Sequence, residues 1–233
     1  MIISRTPFRI SFVGGGTDLR SFYAQEHGQV LSTSIDKYIY VVVKRQIGIV
    51  EFKYRVNWSK VEFCNRIEDI EHPIVREMLR MMEIDFPYEI TTFADIPAKS
   101  GLGSSSSFTV GLLHAIYALK GQMVNKSQLS SLATKIEVDI LKRNMGKQDH
   151  YAAAYGGLNT IRFLVNGGVE VIPINQTDTV IGQLFPSLML FYTGESRDAA
   201  QVLADQQSNV ESLMDDLLTI RGHAQDLENI LID

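Results

Sequence analysis

Cysteine and tryptophan are scarce in this 233-residue chain, which has one residue of each. The single cysteine, Cys64, excludes a disulfide within the chain and a zinc site built on several cysteines. No apolar run reaches the roughly 18–20 residues that span a bilayer. The first ten residues, MIISRTPFRI, lack the basic region and apolar stretch of a signal peptide. We therefore expect a cytoplasmic protein that neither spans nor binds a membrane.

Basic residues are in the minority, since 22 Lys and Arg stand against 27 Asp and Glu for a formal net charge of −5. A general nucleic-acid binder needs a basic footprint, so we expect no nucleic-acid partner. The hydrophobic share of 45% and the charged share of 21% are ordinary for a globular protein. The length suffices for one large domain or two small ones.

The spacing of apolar residues predicts an α+β fold with mostly antiparallel sheets and packed helices. Alternating patterns over 8–12 and 50–58 are typical of half-buried strands. Further strands are predicted at 30–45, 88–94, 158–165, 169–174 and 187–193. Helices are predicted from Pro73, from Ser104 to a stop at Gly121, from a cap at Ser127, over 150–155, and from about 197 onwards.

The strongest chemical signal is the glycine- and serine-rich segment from Pro97 to Ser107, PAKSGLGSSSS. Glycines let a backbone approach a ligand closely, and the N–H groups at the start of a helix attract phosphate. The segment matches neither of the nucleotide motifs GxxxxGK[ST] and GxGxxG. A flexible linker and simple capping by serine are the alternatives. We favour phosphate binding because the segment leads directly into a well-patterned helix.

Two carboxylates, Glu137 and Asp149, lie twelve residues apart after this helix. At a phosphate site one would hold Mg²⁺ and the other would accept the proton of an attacking hydroxyl. The alternatives are structural: Asp149 as the cap of the helix HYAAAY, and Glu137 as a solvated helix charge. Lys147 is either a surface charge or the group that keeps the Asp149 carboxylate ionised.

Two segments resemble motifs of the GHMP kinases. Residues 7–18, PFRISFVGGGTD, are similar to the first motif of that family, and residues 97–107 are similar to the second. GGGTD in place of the galactokinase-like GEHTD resembles the branch that phosphorylates D-glycero-D-manno-heptose 7-phosphate. The runs VLSTSIDKYIY, SGLGSSSSFTVGLLHA and GKQDHYAAAYGG resemble the same branch. The resemblance extends from Ile3 to about Asp205.

The resemblance implies a role for individual residues. Ser105 and Glu137 would bind Mg²⁺, Asp149 would be the catalytic aspartate, and Arg9 would hold it. Lys147, from its place two residues before Asp149, is the other candidate for that contact. The nucleotide phosphates would lie on Pro97, Lys99, Gly101, Leu102, Gly103, Ser104, Ser105 and Ser106. The sugar hydroxyls would lie on Gly16, Thr17 and Asp18. The alternative for Asp18 is a turn-forming residue after three glycines.

The resemblance implies an ATP-dependent kinase that transfers the γ-phosphate to a sugar hydroxyl. The expected acceptor is the anomeric hydroxyl of D-glycero-D-manno-heptose 7-phosphate. Its phosphate needs basic side chains, for which Arg20, Lys44, Arg45 and Arg143 are unranked candidates. A fucose or galactose kinase of the same family is one alternative, and a non-catalytic nucleotide-binding fragment is another.

The glycine-rich third motif of the family is missing after Gly194. Family members are also longer, so we expect an N-terminal domain over 1–182 and the first elements of an incomplete C-terminal domain over 183–233. An apolar stripe runs from Val210 to Leu231 on the predicted last helix. If the native chain ends here, this exposed stripe would pair with a second copy in a homodimer.

Overall fold

The computed structural model describes residues 1–174, 179–191, 194, 210 and 212–232. Seven strands form one sheet. The strands are β1 (Ile2–Val13), β2 (Gly28–Arg45), β3 (Tyr54–Asn57), β4 (Val61–Cys64), β5 (Tyr88–Ala94), β6 (Leu158–Phe163) and β7 (Val169–Pro173). The helices are α1 (Arg20–Tyr23), α2 (Pro73–Met81), α3 (Ser104–Leu119), α4 (Lys126–Thr134), α5 (Gln148–Tyr155), α6 (Thr179–Leu184) and α7 (Met214–Ile232). A π-helical turn, Lys135–Ile140, continues α4.

The long strand β2 organises the sheet. One of its edges pairs with β1, and its other edge pairs first with β6 and then with β5. The order along the sheet is β4-β3-β5-β2-β6-β7, with β1 attached to β2. The described pairings are antiparallel except that of β3 with β5. The predicted α+β class with mostly antiparallel pairing is confirmed.

The largest core cluster lies between the sheet and the helices α2, α3 and α4. Phe8, Val41 and Ile90 from the strands pack with Leu112 and Ile116 of α3, and all five are buried. Burying a side chain of this size contributes about 1.5–3 kcal/mol, so α3 is firmly anchored along its length. The predicted stop is also correct, because Gly121 has a φ of 68° and its N–H donates to Ala118 O at 3.0 Å. The N-terminus of α3 therefore has a fixed position at one end of the core.

The last helix, α7, covers the sheet with the apolar stripe that the sequence predicted. Leu217, Ala224 and Leu231 are buried, and Leu231 packs with Leu31 of β2. Glu228 of the same helix is buried too. The expectation of an exposed stripe is therefore wrong, because Phe22 of α1 covers Leu217 and the sheet covers Leu231. The reason for expecting a homodimer is thereby removed.

Three further predictions differ from the structure. The strand expected over 50–58 is formed only by β3, which begins where β5 provides its partner at Tyr88. The strand expected over 187–193 is absent from the described residues 187–191, and Leu188 to Phe191 are exposed there. The cap of α4 is not Ser127 but Asn125, which forms a capping box with Gln128.

The domain boundary predicted at residue 182 lies inside α6 and stays a prediction. The helix expected from 197 onwards is described only in its last part, as α7, since 197–209 fall outside the described residues. Among the described residues, no helix is long and apolar enough to cross a bilayer.

Candidate active site

The loop before α3 presents backbone N–H groups at the helix N-terminus. Lys99, Gly101 and Gly103 have φ values of 62°, 77° and 75°, so left-handed residues alternate along this loop. Gly103 is the N-cap residue and no side chain caps the helix. The first hydrogen bond of the helix runs from Ser107 N to Gly103 O at 2.9 Å, which leaves the preceding N–H groups without a partner inside the helix. The alternative in which a serine side chain caps this helix is therefore wrong. The free N–H groups at this end of α3 suit an anion.

The hydroxyl groups of the serine run differ in their contacts. Ser107 Oγ donates to Pro7 O at 2.9 Å and ties α3 to β1. Ser106 Oγ and Ser100 Oγ are buried without a hydrogen-bond partner in the described part of the chain. Buried hydroxyls are usually paired, so these two atoms indicate that the loop is shaped to receive a polar ligand.

Arg9 joins the first motif, the loop and one of the predicted acids. Its Nε and Nη2 both lie 2.7 Å from Asp149 Oδ1, and its Nη1 donates to Gly101 O at 2.8 Å. Asp149 Oδ2 faces Gly103, where an added Cβ would lie only 3.2 Å from this oxygen. Asp149 is not the cap of α5, because Lys147 occupies that position. The structure thus places the carboxylate, held by a guanidinium, beside the N-terminus of α3.

The second acid, Glu137, is fully buried in the π-helical turn. Its Oε2 accepts hydrogen bonds from Ser105 Oγ at 2.5 Å and Arg143 Nη1 at 2.6 Å. Its Oε1 accepts one from Thr109 Oγ1 at 2.7 Å and lies 3.2 Å from His150 Nε2. A solvated helix charge is therefore wrong as an interpretation of Glu137.

Burial alone would raise the pKa of Glu137. The hydrogen bond and charge of His150, followed by the hydroxyl groups of Ser105 and Thr109, outweigh burial and lower the pKa to about 2. The carboxylate is therefore ionised at neutral pH, as a cation ligand must be.

The oxygen atoms of Ser105 and Glu137 fit a hard divalent cation. Mg²⁺ usually takes one or two protein carboxylates and completes its shell with substrate phosphates and water. No cluster of three His, Cys, Asp or Glu side chains suited to a metal occurs among the described residues. Arg143 Nη1 also lies 2.6 Å from Ser105 Oγ, so its guanidinium and a cation would compete for the same oxygen atoms.

A third carboxylate, Asp18, lies close to the pair formed by Arg9 and Asp149. It is buried and accepts hydrogen bonds from Gly16 N at 3.3 Å and from Gln148 N at 3.0 Å. Burial raises the pKa of Asp18 to about 6, the backbone hydrogen bond from Gln148 opposes this, and the charge of Asp149 adds to it. The three acids therefore have distinct environments within one region.

Some predicted site residues have structural contacts instead. The Thr17 hydroxyl is buried and bonded to Gly14 O and to the Gln29 backbone, so it is not available to a sugar. The Lys147 ammonium group donates to Gly167 O at 2.9 Å and lies 4.6 Å from the Tyr23 ring centroid, so it is Arg9 that holds Asp149. Leu102 packs against the main core, and its carbonyl accepts from Arg9 N at 3.3 Å.

The sequence did not reveal Thr109, His150 or the contact of Arg143 with Glu137 as parts of the site. Thr109 follows Ser105 by four residues, so helical periodicity alone could have placed both hydroxyls on one face. His150 adjoins Asp149 in sequence but lies on Glu137. The π-helical turn sets the direction of the Glu137 side chain, and no pattern in the sequence announces that turn.

Known proteins are similar to this chain in sequence and in fold. Residues 70–157 match the family model of the GHMP kinases N terminal domain. A D-glycero-alpha-D-manno-heptose 7-phosphate kinase from Campylobacter jejuni is 29% identical over 210 residues, which make up 86% of this chain and 62% of that protein. A galactokinase from Thermotoga maritima is 24% identical over 164 residues, or 69% of this chain and 45% of that protein. The chain thus spans less than two thirds of either relative.

Solved structures of the same fold cover the whole chain. A D-glycero-D-manno-heptose 1-phosphate kinase from Bacteroides thetaiotaomicron aligns with a TM-score of 0.83 and 24% identity, over 100% of this chain and 73% of that one. The phosphomevalonate kinase of Streptococcus pneumoniae aligns with a TM-score of 0.77 and 14% identity, over 100% and 74%. The resemblance stated from the two motifs is confirmed in the fold, which is that of the GHMP kinases, and in residues 70–157, which match the model of their N-terminal domain.

Proposed function

We propose that this protein is an ATP-dependent sugar kinase that transfers the γ-phosphate of ATP to a hydroxyl group of a phosphorylated sugar. The observation that carries the proposal is the position of Asp149. Its carboxylate is held by Arg9 at 2.7 Å and faces Gly103 at the N-terminus of α3, the helix whose Ser105 contacts Glu137. A phosphate-binding helix end, a cation-binding pair and a base are the parts that phosphoryl transfer requires.

The nucleotide phosphates would accept hydrogen bonds from the backbone N–H groups of Ser104, Ser105 and Ser106. The buried hydroxyl of Ser106, which has no partner among the described residues, adds a donor at the same place. Ser105 and Glu137 would hold Mg²⁺, which supplies positive charge to the phosphate oxygens. Because α3 is anchored in the core, these groups are positioned before the substrate arrives.

Asp149 would orient the acceptor hydroxyl and take its proton on Oδ2. The hydroxyl oxygen forms a bond to the γ-phosphorus, the bond from that phosphorus to the bridging oxygen breaks, and ADP leaves with the electron pair. Arg9 already occupies Oδ1, which leaves Oδ2 for the proton and keeps a positive charge beside the transferred group. A weak base suffices, since the proton leaves late in a loose transition state. Asp18 would hold other hydroxyl groups of the sugar.

The proposed acceptor is the anomeric hydroxyl of D-glycero-D-manno-heptose 7-phosphate. The relative from Campylobacter jejuni, named for that compound, matches 86% of this chain. A galactose-type kinase is the second candidate, because the relative from Thermotoga maritima is a galactokinase. The motif GGGTD at 14–18 favours the heptose branch over the galactokinase-like GEHTD.

The test is steady-state turnover of ATP with a panel of sugars and sugar phosphates. Asp149→Asn removes the base without changing the size of the side chain, and we expect kcat to fall by about 10²–10⁴-fold while ATP still binds. Asp226→Asn changes an exposed acid of α7 and is the matched control. Turnover by Asp149→Asn within tenfold of the original protein would refute the base. ATP binding without turnover on any sugar would favour a non-catalytic nucleotide-binding protein.

A further inference from the structure

A cavity of about 560 Å³ adjoins the candidate active site, between α1, the π-helical turn and the tip of the β6–β7 hairpin. Small-molecule sites typically measure about 300–1,000 Å³. Arg143 lines the cavity and also contacts Ser105 and Glu137. Leu19 lines it directly after Asp18 in the chain. The cavity therefore borders the candidate site through Arg143 and through Leu19, the chain neighbour of Asp18.

Positive charge dominates the lining of this cavity. Its charged residues are Arg20, Lys142, Arg143, Lys147 and Asp139. Arg143 is paired with Glu137, and Lys147 donates to Gly167 O. Arg20 and Lys142 form no ion pair within the described part of the chain. Because four cations and a single carboxylate line a cavity of ligand size, the cavity suits an anionic group.

The structure also separates the four basic residues that the sequence left unranked. Arg9 pairs with Ser34 across the β1–β2 ladder, and Arg45 lies eleven residues further along β2. At about 3.3 Å per residue, Arg45 is roughly 35 Å along the strand from the active-site end of the ladder. Its guanidinium lies 4.4 Å from the Phe86 ring centroid. Lys44 is its neighbour, so both residues are too far away to reach an acceptor held by Asp149.

We propose that Arg20 and Lys142 bind the phosphate group of a phosphorylated sugar acceptor in this cavity, while Asp149 deprotonates its reacting hydroxyl. This inference rests on the proposed kinase function and adds what selects the acceptor. The planar guanidinium of Arg20 matches a phosphate in a two-point contact, and the Lys142 ammonium adds a point charge. The kinase therefore discriminates against sugars that lack the phosphate.

The test compares D-glycero-D-manno-heptose 7-phosphate with the same heptose without its phosphate, on the full chain. We expect Arg20→Gln and Lys142→Gln each to raise the KM for the phosphorylated acceptor about tenfold, the ratio that one charged contact of about 1.4 kcal/mol gives. The kcat, the KM for ATP and turnover of the unphosphorylated heptose stay unchanged. Arg45→Gln removes the same charge far from the cavity, and this matched control behaves like the original protein.

The kinetic results distinguish a failure of the phosphate site from a failure of the proposed kinase function. An unchanged KM for the phosphorylated acceptor in both variants, or an equal loss with both acceptors, overturns the phosphate site while the kinase function stands. A raised KM for ATP instead assigns the cavity to the nucleotide and also overturns the inference. If no sugar is turned over, the proposed function fails. Calorimetric binding of heptose 7-phosphate then decides the inference: weaker binding by the two variants supports it, and equal binding refutes it.

Discussion

The contact between Gly146 and Asp18 allows a sharp test of how the site is built. A Cβ added to Gly146 would lie 1.8 Å from Asp18 Oδ2 and 2.2 Å from Asp18 Cγ. Ordinary contacts begin at 3.4 Å, so the loop or the carboxylate must move by about 1.6 Å. Asp18 is buried and held by hydrogen bonds from Gly16 and Gln148, so neither partner moves without loss.

We expect Gly146→Ala to lower the free energy of unfolding by about 3 kcal/mol. Overpacking against a buried side chain typically costs about 1–3 kcal/mol. Moving the Asp18 carboxylate would also weaken its hydrogen bonds from the backbone, so we expect a loss at the upper end of this range. Urea unfolding followed by circular dichroism measures the change. Gly15→Ala is the control, because a Cβ there meets nothing within 4 Å, and we expect a change below about 0.5 kcal/mol.

A double-mutant cycle shows whether the Asp18 carboxylate is the cause. In an Asp18→Ala background the obstructing atoms are gone, and we expect Gly146→Ala to cost less than about 1 kcal/mol. An equal cost in both backgrounds, or a single variant as stable as the original protein, would refute the contact.

Three further predictions concern stability. Glu228→Ala removes the buried partner of Arg162 and Gln29. We expect urea unfolding to show that the free energy of unfolding falls by about 2 kcal/mol. A fall below about 0.5 kcal/mol would contradict a structural role for Glu228. Gly222 lies inside α7, where an added Cβ meets nothing within 4 Å. We expect Gly222→Ala to raise the free energy of unfolding by about 1 kcal/mol in thermal unfolding, because alanine favours a helix over glycine. A lower unfolding midpoint would contradict a helical conformation at this position. The pKa of Asp18 is about 6 in the folded protein, against 3.8 for an ordinary Asp. As the pH rises from 3.8 to 6, the unfolded chain loses this proton before the folded protein does. The contribution of Asp18 to the free energy of unfolding therefore falls by about 3 kcal/mol over this pH range. Urea unfolding at pH 4 and 7 measures this fall, which Asp18→Asn should abolish, and an equal pH dependence of the two proteins would be the contrary result.

The sequence predicted those parts of the fold whose apolar pattern is local. The strand over 88–94 and the helix from Ser104 to Leu119 agree with the pattern because each element buries one regular face. The strand expected over 187–193 does not form in its described part, 187–191, since an apolar run becomes a strand only where a sheet edge receives it. The apolar stripe of α7 was correctly placed, but its partner, the chain's own sheet, is not visible in one-dimensional periodicity.

The candidate site was predictable where backbone chemistry dictates it. A glycine-rich loop that enters a helix implies an anion site, and the structure brings Arg9 and Asp149 to that loop. The contacts of Arg143 and His150 with Glu137 depend on a π-helical turn, which no residue pattern marked. Thr17 illustrates the opposite error, because its position within a motif suggested ligand binding while its hydroxyl is used by the backbone around it.

The central claim is that a triphosphate binds at the N-terminus of α3 with Glu137 and Asp149 beside its γ-phosphate. The most direct measurement is a crystal structure of the protein with Mg²⁺ and a non-hydrolysable ATP analogue. The account predicts phosphate density on the backbone N–H groups of Ser104–Ser106, a metal ion on Ser105 and Glu137, and Asp149 Oδ2 facing the γ-phosphate. Phosphate density away from this helix end, or an Asp149 carboxylate turned from it, would contradict the account.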